Sequence, residues 1–157
     1  MIYLYMAKKT WNQKLNDGKS PEVSTVGPEA AARYGGPKML VATPLVFDAL
    51  MKKVPAGKLI TTDDMRVFLA KQYKADWTCP MTTGIFVNIA ANAAAERRGE
   101  NETPYWRTLK KGGELCEKFP DGLEGQKLLL EMEGHKVIQK GKRYFVEDFA
   151  DKLFEIK

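Results

Sequence analysis

Histidine occurs once and cysteine only twice in this chain of 157 residues. A Ser-His-Asp or Cys-His enzyme, or a histidine-rich metal site, would therefore depend on His135 alone. Cys79 and Cys116 form neither a disulfide framework nor a metal-ligand spacing, so a cytoplasmic protein without metal or cofactor is expected. No apolar run approaches the roughly 18 to 20 residues that cross a membrane. The start, Met1-Ile2-Tyr3-Leu4-Tyr5-Met6, is short and has neither a charged leader nor a small-residue cleavage site, so no signal peptide is expected. Internal repeats and low-complexity tracts are also missing. What remains is an ordinary globular composition. Hydrophobic residues make up 44%, enough for a core, and charged residues 29%, enough for a solvated surface.

Negative charge is scarce at one end. Residues 1–58 carry nine Lys/Arg against four Asp/Glu, and so hold the whole net charge of +5. The remaining residues are balanced. A basic chain favours anionic partners such as nucleic acid, although this charge does not fall where a recognition helix would lie.

Residues 7–42 show no sustained period and read as a loop-rich basic extension, partly packed through Trp11, Leu15 and Met39 to Val41. From Thr43 the pattern sharpens. Thr43-Pro44 is an N-cap and first-turn proline, predicting a helix with Leu45, Val46, Ala49 and Leu50 on one face, closed by Val54-Pro55. Thr62-Asp63-Asp64 predicts a second helix with Met65, Phe68, Leu69 and Tyr73 buried. A third runs from Pro80 to Arg98 with Ile85, Phe86, Ile89, Ala90 and Ala93 inward, before a loop from Gly99 to Thr103. Two helices with a short connection suit a helix-turn-helix. Tyr105 to Leu109 and Leu115 flank Lys110-Lys111-Gly112-Gly113 and predict a hairpin. A fourth helix spans about Leu123 to Glu133 and stops at Gly134. Val137-Ile138 and Tyr144-Phe145-Val146 flank a basic turn (Lys140, Lys142, Arg143) and predict a second, wing-like hairpin. A short helix around Asp148 to Phe154 ends the chain. The expected fold is mainly α with small β hairpins: a winged helix-turn-helix domain over 43–157 behind the extension 1–42.

The chemically loaded stretch is Thr103-Pro104-Tyr105-Trp106-Arg107, followed by Phe119-Pro120-Asp121-Gly122-Leu123 and Glu131-Met132-Glu133-Gly134-His135. Together with Val54-Pro55-Ala56-Gly57-Lys58 and Ala90-Ala91-Asn92, in this order and spacing, it resembles the alkylguanine-DNA alkyltransferases over roughly residues 43–139. That family carries Pro-Cys-His-Arg, whose Cys takes the alkyl group from damaged guanine. Here Pro104 and Arg107 keep their places while Tyr105 stands at the Cys position and Trp106 at the His position. A tyrosine with pKa near 10 is a poor alkyl acceptor at neutral pH, and an indole has no basic nitrogen to take its proton. Direct repair is therefore excluded. The chain resembles the non-catalytic alkyltransferase-like branch, which has a large aromatic at that place, holds the lesion and hands it to excision repair.

By position, the resemblance implies a base pocket of Tyr105, Trp106, Arg107 and Phe119. Asn92 would be the hinge behind the recognition helix, and Glu133 the carboxylate that orients the family's histidine. Stacking an extruded base on Phe119 would contribute roughly 1–3 kcal/mol. Thr62 falls at the family's phosphate lever and Thr83 at its arginine wedge, so both extrusion devices are lost. Thr82, Thr83 and Asn88 on the third helix, Thr62, and the turn Lys140, Lys142 and Arg143 are the DNA-contacting candidates. The leading expectation is a non-enzymatic protein that binds double-stranded, alkylated DNA and signals to excision-repair proteins. Two other readings stand beside it: a repurposed scaffold for a small ligand or protein partner, and an enzyme built on Cys79, whose thiol precedes a helix start that lowers thiol pKa.

Overall fold

The computed structural model describes residues 8–99 and 102–157. The apolar start Met1 to Met6, and residues 100 and 101 of the loop after Gly99, lie outside them.

The segment expected to be loop-rich is built of regular elements. Helix α1, Trp11–Leu15, is opened by a capping box in which Thr10 and Gln13 exchange side-chain and backbone hydrogen bonds. Strand β1, Glu22–Thr25, and strand β2, Lys38–Val41, pair antiparallel around helix α2, Pro28–Tyr34. No periodicity is visible in sequence because each element is only one or two turns or pleats long. Their order comes from partners elsewhere in the chain.

Helix α3, Pro44–Lys52, starts where the sequence places it, with the Thr43 hydroxyl accepting from the Val46 N–H at 3.3 Å. Its buried side matches the expected one at Leu50 and, half-buried, at Val46, and departs from it elsewhere. Leu45 and Ala49 are exposed, and Phe47, Leu50 and Met51 are buried. Strand β3, Ile60–Thr61, leads into helix α4, Thr62–Gln72. The cap is Thr61, one residue earlier than expected, accepting from the Asp64 N–H at 3.1 Å. Strand β4, Trp77–Thr78, joins it to helix α5, Pro80–Arg97. Ile85, expected inward on α5, is 52% exposed, while Val87, Ala90, Ala91 and Ala94 are buried. These alanines let α1 and α3 approach α5 closely, because interaxial distance is set by side-chain size at the contact.

The first expected hairpin does not form. Tyr105–Arg107 is a single 3₁₀ turn, and strand β5, Thr108–Leu109, pairs parallel with β3. Only one antiparallel bridge, Lys110 to Glu114, closes the Lys-Lys-Gly-Gly turn. Gly113 there has φ +84° with the Phe149 ring against it, where a Cβ would collide. Helix α6, Gly122–Met132, ends at Gly134 with φ +89°. Strands β6, Val137–Lys140, and β7, Arg143–Val146, form the expected basic-tipped hairpin, and a 3₁₀ helix, Phe149–Lys152, follows.

Among the described residues the architecture is mixed α/β, six helices with three small sheets, rather than mainly α with hairpins. The correction comes from long-range parallel pairs: β4 lies beside β2 and β5 beside β3. One apolar cluster centres on Phe47, Met51, Met65, Leu69 and Ala90. A second gathers Leu59, Leu109, Leu115, Leu130 and Val146 beneath α6 and the hairpin.

Candidate nucleobase cleft

Pro104 starts the chemically loaded loop. The loop is held from below by a buried bond of 2.5 Å from the Thr103 hydroxyl to the Asp48 carboxylate on α3. Tyr105 is only 8% exposed, with its ring edge-on to Trp106 at 5.4 Å and to Phe119 at 5.8 Å. Burial, together with the nearby Asp121 carboxylate, pushes the Tyr105 phenol above its ordinary value. The Tyr105 phenol thus stays protonated at neutral pH and enclosed.

Arg107 does not face an open pocket. Its guanidinium grips Glu133 through Nε at 2.9 Å and Nη2 at 2.5 Å, and Nη1 donates to the Val54 carbonyl at 2.7 Å. Both side chains of the pair are about seven-eighths buried (13% and 14% exposed). Burial alone would raise the Glu133 pKa, but the Arg107 hydrogen bonds and charge outweigh it and bring it below the usual carboxylate value. The carboxylate thus has the arginine as its charged partner. The pair clips the loop to the ends of α3 and α6.

Asn92 ties helix to loop. Its Nδ2 donates to the Asn88 carbonyl at 2.9 Å, the Asn88 side chain at 2.8 Å and the Lys118 carbonyl at 3.1 Å. Asn88 is engaged by that contact and half-buried. Thr83 is 1% exposed and donates to the Cys79 carbonyl at 2.7 Å, and Thr82 turns to the same oxygen. Cys79 itself is a backbone joint. Its N–H donates to Leu40, and its carbonyl receives the first turn of α5. At the hairpin tip Lys140 and Lys142 are exposed, while Arg143 forms a bidentate pair with Glu114 at 2.8 and 3.0 Å.

Of the six residues expected to form one pocket, Phe119 lines a cleft of about 230 Å³ between α4, α5, β5 and the Cys116–Phe119 loop. Pro80, Val87, Leu109 and Phe119 make its walls largely apolar. Thr62, Thr83, Thr108 and Cys116 contribute small polar groups, and Arg66 and Lys110 bring positive charge. Tyr105 fills the space behind Phe119. Burial raises the Cys116 thiol above its ordinary value, so it is a weak nucleophile at neutral pH.

Sequence reasoning passed over Gln126, which is fully buried. Its Oε1 accepts from the Cys116 N–H at 2.7 Å, and its Nε2 donates to the carbonyls of Trp106 at 3.1 Å and Thr108 at 3.0 Å. One amide thus fixes two walls of the cleft. The available signal was a glutamine on the apolar face of α6. Thr108 and Arg66 gave no signal, since the cleft that includes them is assembled from four separate segments.

No family model matches the chain, and no curated protein matches it. Two solved structures are similar in shape. S. pombe Atl1 in complex with damaged DNA containing O6-carboxymethylguanine is 19% identical at a TM-score of 0.48, covering 71% of this chain and 92% of that one. S. pombe ATL in complex with DNA is 18% identical at a TM-score of 0.47, covering 71% and 93%.

Proposed function

We propose that this protein binds double-stranded DNA without catalysis and holds an alkylated guanine for excision repair, in the manner of the alkyltransferase-like proteins. In this reading α4 and α5 are the helix-turn-helix and β6–β7 is its wing. The observation that carries it is the cleft beside Phe119. It opens between the two helices that would meet the duplex, has an apolar wall for a flat ring and has cations beside it. At the acceptor position stands a buried phenol that cannot take an alkyl group. Arg66 and Lys110 offer positive charge where the lever and wedge residues are missing, although Arg66 is paired with Asp63 and Lys110 with Glu114 and Glu117.

One observation favours the scaffold reading. The solvent side of α5 exposes Met81 (75%) and Ile85 (52%), and residues 80–96 contain no Lys or Arg. Such a face adds little phosphate affinity. Fluorescence anisotropy decides between them, using a duplex with one O6-methylguanine and its undamaged twin at two salt concentrations. Expected are salt-sensitive binding and a preference of about tenfold (about 1.4 kcal/mol) for the damaged duplex, reduced by Phe119→Ala. Absence of binding at low salt overturns the DNA reading and leaves the ligand or protein scaffold.

A further inference from the structure

The segment before Thr43 is fastened to the connection between α4 and α5. Tyr34, at the end of α2, stacks on Trp77 of β4 with ring centroids 4.4 Å apart and planes at 22°. The Trp77 indole N–H donates to the Gly36 carbonyl at 2.9 Å. The Asp76 carboxylate accepts from the Lys38 backbone N–H at 2.9 Å, and the Asp76 N–H donates to the Lys38 carbonyl at 2.8 Å. That carboxylate lies so close to Gly36 that a Cβ there would collide with it. These contacts hold the end of α2 in one position beside α4. The seam encloses a hollow of about 410 Å³ lined by Tyr34, Asp76, Trp77 and the α4 residues Asp63, Arg66 and Lys71. Arg66 lines the Phe119 cleft as well, so hollow and cleft adjoin along α4. Within the hollow Arg66 and Asp63 cancel as an ion pair. Against the remaining Asp76 carboxylate stand Arg33 and Lys71, both exposed and neither in an ion pair among the described residues. The Arg33 guanidinium rests over the Tyr34 ring at 5.4 Å, a contact that positions the group without using its N–H donors.

We propose that this seam is a second contact with duplex DNA, in which Arg33 and Lys71 take backbone phosphates beside the nucleotide held in the cleft. The inference rests on the DNA-binding reading above and adds to its interface a segment outside the alkyltransferase resemblance. In a helix-turn-helix the first helix crosses the phosphate backbone, and in that reading the first helix is α4. Residues 80–96 of α5 contain no Lys or Arg, so phosphate affinity has to come from the elements around it. A strand passing the cleft at Arg66 meets Lys71 farther along α4 and Arg33 across the hollow. Because the seam is already fixed, its cations lose little freedom when they bind.

Salt titrations by anisotropy on the full chain test this, with the O6-methylguanine duplex and its undamaged twin. Arg33→Ala and Lys71→Ala should each weaken binding to both duplexes alike. Each should also reduce the slope of log affinity against log salt by about 1. Arg33→Lys keeps the charge and should keep the slope. Lys19→Ala removes an exposed cation of the same segment that lines a different hollow, and should leave the slope unchanged. All three side chains are exposed, so Tm should hold in every variant. Unchanged slopes in Arg33→Ala and Lys71→Ala, with wild-type binding intact, overturn the seam as a contact and leave the DNA reading standing. An equal loss in Lys19→Ala overturns it too, by making net charge the cause. A wild-type protein that binds neither duplex at low salt overturns both readings together.

Discussion

His135 is the lone histidine, buried at the foot of α6 with its backbone N–H on the Leu130 carbonyl. Burial lowers its pKa, the Lys152 charge adds to this, and Glu133 opposes it. A histidine whose folded pKa lies below its unfolded value of about 6.5 binds its proton more readily in the unfolded chain. Its stabilising contribution is complete above the unfolded value and is lost as pH falls through that value towards the folded one. No other side-chain type has an ordinary pKa in that window, and the carboxyls of Glu96, Glu114, Glu117 and Glu133 are held below the usual carboxylate value. Thermal melts of the wild type should therefore fall in Tm between about pH 7 and 5. His135→Gln should flatten that stretch, and an unchanged slope would show that the histidine titrates as in the unfolded chain. At the same scale, Tyr105 and Trp106 could be judged from residue type alone, because neither a phenol nor an indole supplies a thiolate or its base.

Among the elements, the clip between the loop after Pro104 and the end of α6 depends on one ion pair. Arg107 and Glu133 are largely buried and exchange paired hydrogen bonds. Removing one partner leaves the other charge buried and unmatched, so Glu133→Gln or Arg107→Met alone should each cost about 3 kcal/mol. The double variant should cost less than the sum of the two. Urea denaturation of the four proteins of this cycle measures the coupling, and additive losses would show that the two side chains act independently. Both residues were identified in the sequence as site residues, but as parts of a pocket. Their pairing was illegible because the two positions lie far apart in the chain. Helix starts and stops were more legible. Thr43-Pro44, the acids after Thr61, and Gly134 act within one turn of themselves. Which side of each helix is buried was read less well, as Leu45 and Ile85 show. That choice depends on where α1, α3 and α5 touch.

Across the whole molecule, the excess positive charge and the candidate DNA-facing groups do not coincide, so affinity should rest on a few cations. Lys140 and Lys142 project from the β6–β7 tip, while Arg143 is occupied by Glu114. If the hairpin is a wing, Lys140→Ala and Lys142→Ala should each weaken binding to damaged and undamaged duplex alike. Each should also reduce the slope of log affinity against log salt by about 1. Arg143→Ala should mainly lower stability. Salt titrations by anisotropy check this, and unchanged slopes would move the duplex away from the hairpin.

The sequence by itself determined where most helices of residues 43–157 begin and end, the basic-tipped hairpin, and that no thiol stands at position 105. These follow from caps, glycines and side-chain chemistry that act locally. Only the tertiary structure decided the two parallel strand pairs, the regular architecture of residues 8–42 and the true lining of the cleft. The physical reason is range. A parallel pair as short as β3 with β5 has no pattern of its own and takes its hydrogen bonds from a distant segment. Likewise the cleft brings Arg66, Val87, Thr108 and Phe119 together from four elements whose separate patterns carry no record of one another.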